Sequence, residues 1–598
     1  MRPYEGCTLD FQASSRIYIS VTEYLQLTYI GYNRAQKVCE KCFSHFHNSK
    51  LVRLMRMQKQ QPRIAPQHEV QSLINLLNAG QFGHAENVAR HLIQQYPQMF
   101  VLYNVLGVAL ENQAKFSEAE TVYRKAISLD NKIAEIHFNL GVVLGHLEKT
   151  EESIQSYRKA VSLRPDLTPA YFNLGIALQS LNRLDEALTA YRKTVALEPG
   201  FYEALGNLGA ILQTQGKLDE AISCYRKALA IHADAQGYFN LGTALRNQGL
   251  LEDAINSFRQ ALTIDPNSAT VHSNLGESLW YHGKLNEAVA HFNRALEINP
   301  DNASANYNLA VFLYDNGELE RAIPHFERSQ FDDWRERALY CLYKTERYDE
   351  FREKLQDAIK TNSSSPLLAT LSTHYAINFK QPDEYNFCKN PLDFVYHGSI
   401  KELAEPDSPL LKELLHDIDQ AEISARQQSR LHNGTQSSGN LFKRKEASFR
   451  KLAELIAETV RNYYQKYKNE DCAFIREFPK DIEFSSSWYV RMRQGGHLGS
   501  HIHEEGWISG AVYLAIPKRL ASEAEGCIEL STHGDNYPQK HQDFPTVLVA
   551  PKVGDVCFFP SSVFHRTIPF SANEERICVA FDVKPANAKT PRFSSMGS

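Results

Sequence analysis

No window of the 598 residues approaches about 18 consecutive apolar side chains, so nothing in the chain reads as a membrane span. Cysteine is scarce. The ten present are scattered and form no disulfide framework, which suits a reducing, cytoplasmic compartment. Glycine and proline number only 30 and 24, too few for a collagen-like or linker-dominated chain. Charge of one sign is lacking too: 65 basic against 70 acidic residues give a net charge of −5, with no global pull towards nucleic acid or an anionic membrane. What remains is ordinary globular usage, 43% apolar and 23% charged, in a chain long enough for several domains.

Residues 1–56 differ from the rest, with eight Lys or Arg against four Asp or Glu. A secretory signal would need a continuous apolar core after a basic start, and none is present. The pair Cys39 and Cys42, followed by His45 and His47, invites a zinc reading, but one such pair without a second at finger spacing is a weak signal. The segment reads as a poorly structured extension, and Met55 and Met57 stand just before the sequence becomes regular.

From there a period governs the chain. Gly107, Gly141, Gly175, Gly209, Gly242, Gly276 and Ala310 follow one another at steps of 34 or 33 residues, most of them in the string Asn-Leu-Gly. Twelve residues after each stands a small residue (Ala119, Ser153, Ala187, Ala221, Ala254, Ala288, Ala322), and four further on an aromatic, from Tyr123 to Phe326. Small residues let two antiparallel helices approach, and the aromatic is expected to plug the groove to the next pair. Pro165, Pro199, Pro266 and Pro300 stand where helices must stop. A weaker unit with Gly80, Ala85 and Pro97 precedes these seven, and Phe331–Pro366 carries further amphipathic helix that reads as a closing cap.

The pattern resembles the tetratricopeptide repeat. The resemblance implies a superhelix whose concave face bears Asn139, Asn173, Asn207, Asn240, Asn274 and Asn308, one per unit. A similar ladder in O-GlcNAc transferase holds polypeptide backbone, since amides both donate and accept. The alternative is that each asparagine bonds only within its own helix pair. The repeats by themselves support a binding scaffold and no chemistry.

Beyond about residue 484 the texture changes to short β-branched and aromatic runs broken by Gly and Pro. Strands are expected at 487–492, 507–516, 527–530, 546–549, 555–559 and 577–583, the pattern of a sandwich or jelly roll. In the string Gly499 to Gly510, His501 and His503 are two apart and on an extended segment face the same side. His565 follows an apolar strand and a proline-marked bend, and Arg576 opens the last strand. Two or three ligands on one face with open positions opposite suit a non-heme iron(II) centre. An arginine suits the far carboxylate of a cosubstrate.

This region resembles the 2-oxoglutarate- and iron(II)-dependent oxygenases. The resemblance rests on His501/His503, Ser509-Gly-Ala-Val-Tyr513, Phe559-Pro-Ser-Ser-Val-Phe-His565 and Arg576. It implies an α+β double-stranded β-helix, cupin-like, with Fe(II), 2-oxoglutarate and O2, and hydroxylation as the default outcome. His565 becomes the distal ligand, and Arg576 the partner of the C5 carboxylate. Because the wider superfamily carries an acid in the first pair, two ligand sets stand open: His501, His503 and His565, or His503, Glu505 and His565. Tyr513 and Tyr489 are candidates to bond the cosubstrate or to pack the core, and His497 reads as a loop residue.

The expected organisation is therefore an extension (1–56), an all-α tetratricopeptide-repeat superhelix (66–330), a helical cap or linker (331–381), an oxygenase-like domain (382–585) and a flexible tail (586–598). The expected function is an oxygenase whose repeats recruit a polypeptide, without nucleic-acid or membrane partners. The competing function is a non-catalytic repeat scaffold with a degenerate cupin-like domain. A nucleotide-sugar transferase is disfavoured, because the C-terminal region lacks alternating strand and helix texture.

Overall fold

The computed structural model describes residues 65–331, 333–361, 365–420, 425–426, 430–438, 440–504 and 506–584. The expectations for the N-terminal extension with its Cys39/Cys42 pair, for the tail from 586, and for Glu505 lie outside the described residues. The chain divides into two compact units, one ending at Leu285 and one beginning at Asn286.

The first unit is a run of paired helices, from Gln67–Asn78 and Phe82–Gln95 to Tyr202–Thr214 with Leu218–Ile231 and Ala235–Asn247 with Leu251–Ile264. The period has a direct steric cause. A Cβ added at Gly107 would lie 2.4 Å from the Tyr123 ring, and one at Gly141, Gly175 or Gly209 would come within 2.7 Å of Tyr157, Tyr191 or Tyr225. The aromatic therefore fills the space over the glycine of its own helix pair, and at Tyr191 its hydroxyl also reaches the next pair, accepting from Asn207. The turn between paired helices repeats with the same period: Ala114, Glu148, Asn182, Gly216 and Gly249 all have positive φ. This is the left-handed cap that lets a helix end and the chain reverse. Charge pairs also link the second helices of successive pairs, Arg90 to Glu118, Arg124 to Glu152, Arg158 to Glu186 and Arg192 to Glu220. These pairs are exposed and add little stability apiece. Helices Thr150–Leu163, Leu184–Leu197 and Leu251–Ile264 stop just before Pro165, Pro199 and Pro266, as the prolines require.

The second unit contains helices Ala303–Asp315 and Leu319–Ser329, then Trp334–Lys344, Tyr348–Thr361 and Pro366–Asn378. The first and last of these last three helices bond directly to the sheet region. Lys344 Nζ donates to the Asp535 carbonyl, Thr370 Oγ1 to that of Ser562, and Asn378 Nδ2 to that of Pro538.

Ten strands follow among the described residues: β1 Tyr396–Ser399, β2 Ala425–Arg426, β3 Leu431–Ser437, β4 Phe484–Leu498, β5 Ile508–Ala515, β6 Ile528–Ser531, β7 Thr546–Val549, β8 Asp555–Pro560, β9 Phe564–Thr567 and β10 Arg576–Val583. They form a seven-stranded sheet in the order β1-β8-β5-β10-β4-β3-β2 and a three-stranded sheet β7-β6-β9. All the pairings are antiparallel. The two sheets enclose one apolar core that takes Val490, Met492, Tyr513, Phe559 and Cys578 from the first and Ile528, Leu530 and Val549 from the second. This is the two-sheet architecture that the alternating short strands implied. One local expectation is corrected. His497 is not in a loop; it lies in β4 opposite His432 of β3, their rings stacked 4.4 Å apart. An irregular register between His432 and Gly434 lets the glycine-rich stretch stay in the strand.

Candidate metal centre

His501 sits between β4 and β5, and its backbone exchanges both hydrogen bonds with His565 of β9 (3.2 and 3.0 Å). That exchange joins the end of the large sheet to the small one and brings the two rings to 4.2 Å between centroids. His503 lies two residues on, and its N–H donates to the Ser561 carbonyl. One ring nitrogen from each of the three histidines lies within 4.8 Å of the others, and among the described residues this is the single such cluster. His501 and His565 are 5% and 8% exposed. The sequence-derived set His501, His503 and His565 is thus brought together.

The orientation of the rings follows from their other nitrogens. His501 Nδ1 lies 2.8 Å from the Gly499 carbonyl and His503 Nδ1 2.5 Å from Asp582 Oδ1; the Nδ1 of His565 faces the Val563 carbonyl at 3.5 Å. Carbonyl and carboxylate oxygens only accept, so in the neutral rings Nδ1 carries the proton and Nε2 keeps its lone pair. The Nε2 atoms of His501 and His503 then face each other at 3.2 Å. Two lone pairs at this distance repel unless a cation lies between them. Burial pushes His501 down to about 3, the neighbouring His503 adding to the shift, and takes His565 well below the usual histidine value. Both rings are therefore neutral and available as ligands near neutral pH.

Asp582, which the sequence reading passed over, is 7% exposed near the end of β10. Burial alone would raise its pKa, but His503 and the hydroxyls of Ser509 and Ser486 hold it below the ordinary carboxylate value. The signal was a lone carboxylate inside the apolar run Ile577–Val583, which burial permits only with a partner.

Arg576 begins the same strand and is 2% exposed. Its Nε donates to the Gly526 carbonyl, and its guanidinium lies 5.1 Å from the centre of the Tyr513 ring. Among the described residues no carboxylate pairs with it. The Tyr513 hydroxyl is buried without a hydrogen-bond partner, and burial keeps it protonated far above the usual phenol range. A buried cation and an orphaned donor side by side are costly unless an anion joins them. Tyr489, the other candidate, is adjacent to Val490 on β4 and so faces away from the core that Val490 lines. The residues present thus fit both implied groups: three imidazole lone pairs for a metal, and a cation with a hydroxyl donor for a carboxylate.

The asparagines of the repeats lie on the first helix of each pair. Five are half-buried, and Asn308 is 7% exposed. Several amides have partners inside the protein: Asn139 donates to Asn104, Asn207 to the Tyr191 hydroxyl and Asn274 to the Thr270 carbonyl.

Residues 486–582 match the family described as "Putative 2OG-Fe(II) oxygenase". Tetratricopeptide-repeat families match 101–133, 146–182, 168–201, 201–267, 234–301 and 273–338. The chain therefore carries tetratricopeptide repeats followed by a domain of the 2-oxoglutarate/iron(II) oxygenase type. No curated protein matches it. Solved structures similar to it include YrrB, a repeat protein described as having an unusual peptide-binding site (23% identity over 31% of this chain and 95% of that one, TM-score 0.29). MamA from Desulfovibrio magneticus RS-1 shares 24% identity over 28% of this chain and 96% of its own, with a TM-score of 0.27. PilF from Pseudomonas aeruginosa shares 18% over 34% and 93%, with a TM-score of 0.30. Among the described residues, no helix is long and apolar enough to cross a membrane.

Proposed function

We propose that the protein is an iron(II)- and 2-oxoglutarate-dependent oxygenase, a hydroxylase by default, whose repeats recruit a polypeptide substrate or partner. The observation that carries this reading is the 3.2 Å approach of His501 Nε2 to His503 Nε2, with a ring nitrogen of His565 within 4.8 Å of both residues' ligand atoms. His501, His503 and His565 hold the metal through Nε2. Arg576 receives the distal carboxylate of 2-oxoglutarate, and the Tyr513 hydroxyl donates to the same group. Val490, Met492, Leu530 and Phe559 belong to the same buried apolar cluster as Tyr513, a dry surrounding in which each polar contact is stronger. Iron(II) and 2-oxoglutarate, when bound, supply the oxygen chemistry, in which succinate and carbon dioxide accompany oxidation of the substrate.

For recruitment, Asn139, Asn173, Asn207, Asn240 and Asn274 of the first unit carry amides suited to peptide backbone of any sequence, whereas Asn308 of the second is buried and takes no part. The five positions of the first unit are half-buried, and because Asn139, Asn173, Asn207, Asn240 and Asn274 already bond Asn104, Tyr157, Tyr191, Gln236 and Thr270, an incoming peptide must compete at each of them.

The test is anaerobic reconstitution with iron(II) and 2-oxoglutarate, followed by measurement of succinate on admitting oxygen. Succinate that depends on His565 supports the reading. Iron and cosubstrate binding with no turnover on any polypeptide offered points instead to the scaffold alternative.

A further inference from the structure

The carboxylate on the far side of His503 has no role in the proposed ligand set, yet the fold builds around it. Asp582 Oδ1 meets His503 Nδ1 at 2.5 Å and accepts from Ser509 Oγ at 2.7 Å, while Oδ2 accepts from Ser486 Oγ at 2.7 Å. Ser509 and Ser561 hydroxyls are themselves 2.7 Å apart, and the Ser561 carbonyl takes the His503 N–H. The network thus ties β4, β5, β10 and the turn after β8 to one ring. Gly506 is part of it: a Cβ there would lie 2.7 Å from Ser561 Oγ and 3.1 Å from Asp582 Oδ1. The serine and glycine around the start of β5 are therefore explained by what they do for Asp582.

Charge gives the network its meaning. The usual two-histidine, one-carboxylate set lowers the charge of a bound iron(II) from two to one. Three neutral imidazoles leave it at two, in a buried pocket where an unbalanced charge is expensive. One carboxylate hydrogen-bonded to a ligand ring restores the missing charge and raises the basicity of the nitrogen that faces the metal.

We propose that Asp582 is the positioning residue and counter-charge of this centre, acting through His503: it fixes the ring with Nδ1–H towards itself and Nε2 towards the metal, and replaces at one remove the acid absent from the ligand set. This rests on the proposed metal centre. Ser486 and Ser509 hold the carboxylate in place, and Gly506 makes room for it.

The experiment measures anaerobic iron(II) affinity in wild type and in Asp582→Asn, which preserves shape and removes charge. The expected result is affinity about ten- to a hundredfold weaker, with the metal-free protein still unfolding cooperatively at a modestly lower temperature, since His503, Ser509 and Ser486 stabilise the carboxylate. The cobalt(II)-loaded variant should also show a shifted ligand-field spectrum, which a merely structural role would not move. Wild type that binds no iron(II) sinks the metal reading itself. Wild type that binds, with a variant of equal affinity and spectrum, overturns this inference alone. Should Asp582→Asn not fold, nitrogen NMR of histidine-labelled wild type decides, with His503→Gln identifying the signal. A ring protonated on Nδ1, whose Nε2 resonance moves on adding zinc(II), supports the proposal; the opposite tautomer refutes it.

Discussion

Arg337, on helix Trp334–Lys344, lies 3.7 Å from Glu504, the residue that follows His503. Its Nε also bonds Asp333 at 2.5 Å, and Asp333 accepts from the Tyr307 hydroxyl at 3.0 Å. The charges of Glu504 and Asp333 outweigh burial and keep the guanidinium pKa well above its ordinary value. A helix lying outside the β-sheets thus holds the segment that carries a candidate ligand.

Replacing Arg337 by Ala should lower the stability of the second unit by about 1–3 kcal/mol, the cost of losing charge-assisted hydrogen bonds to partly exposed acids. Iron(II) affinity should fall with it, because the His503–Glu504 segment loses its anchor. Calorimetric unfolding and an iron(II) titration check both; loss of stability with affinity unchanged would mean that the segment is held by the sheet alone.

Arg576→Ala should raise the 2-oxoglutarate requirement while leaving iron(II) binding nearly intact. Truncating one partner of a shielded charge pair costs about 2–5 kcal/mol, or tens- to thousands-fold in affinity. Tyr513→Phe should cost less, since it removes a single neutral donor. An unaltered requirement in Arg576→Ala would make that side chain a structural cation only.

Asn173, Asn207 and Asn240 changed together to Ala should weaken capture of polypeptides by roughly ten- to a thousandfold, at about 0.5–1.5 kcal/mol for each lost neutral bond. Succinate formed without substrate should not change. The Tyr191 contact of Asn207 supplies the competing outcome: a large drop in melting temperature with binding per folded molecule intact would make the amides structural.

His374 offers a test through pH. It is 0% exposed, its Nε2 2.8 Å from His533 Nδ1 and its Nδ1 2.7 Å from the Tyr343 hydroxyl. Burial, with His533, Lys344 and His541 nearby, pushes it down to about 3. The unfolded chain, at about 6.5, therefore binds the extra proton between these values. The contribution of this group is fully present above about pH 6.5 and is lost towards pH 3, at about 1.4 kcal/mol per unit. Urea unfolding at pH 7 and pH 5 should show wild type losing about 2 kcal/mol more than His374→Gln. Equal losses would contradict the buried neutral ring.

The repeats were legible because their period is steric: each glycine is there for the ring that covers it, so sequence and contact coincide. The strands β4 to β8 and β10 were legible from alternating apolar runs. β1, β3 and β9 were not, being four to seven residues long and stabilised by partners far away in the chain. In the site, spacing brought out His501 and His503, whereas Asp582 is 79 residues from the ring it contacts. No local pattern encodes that meeting. It arises from the register that sets Asp582 opposite Ser509 and Ser486.

The most direct test of the central claim is an anaerobic count of iron(II) bound per chain in wild type, His501→Ala, His503→Ala, His565→Ala and Glu505→Gln. The three-histidine centre predicts one iron in wild type and in Glu505→Gln, and binding lost or severely weakened in each histidine variant. Full binding by His565→Ala, or loss in Glu505→Gln with His501→Ala unaffected, would contradict it.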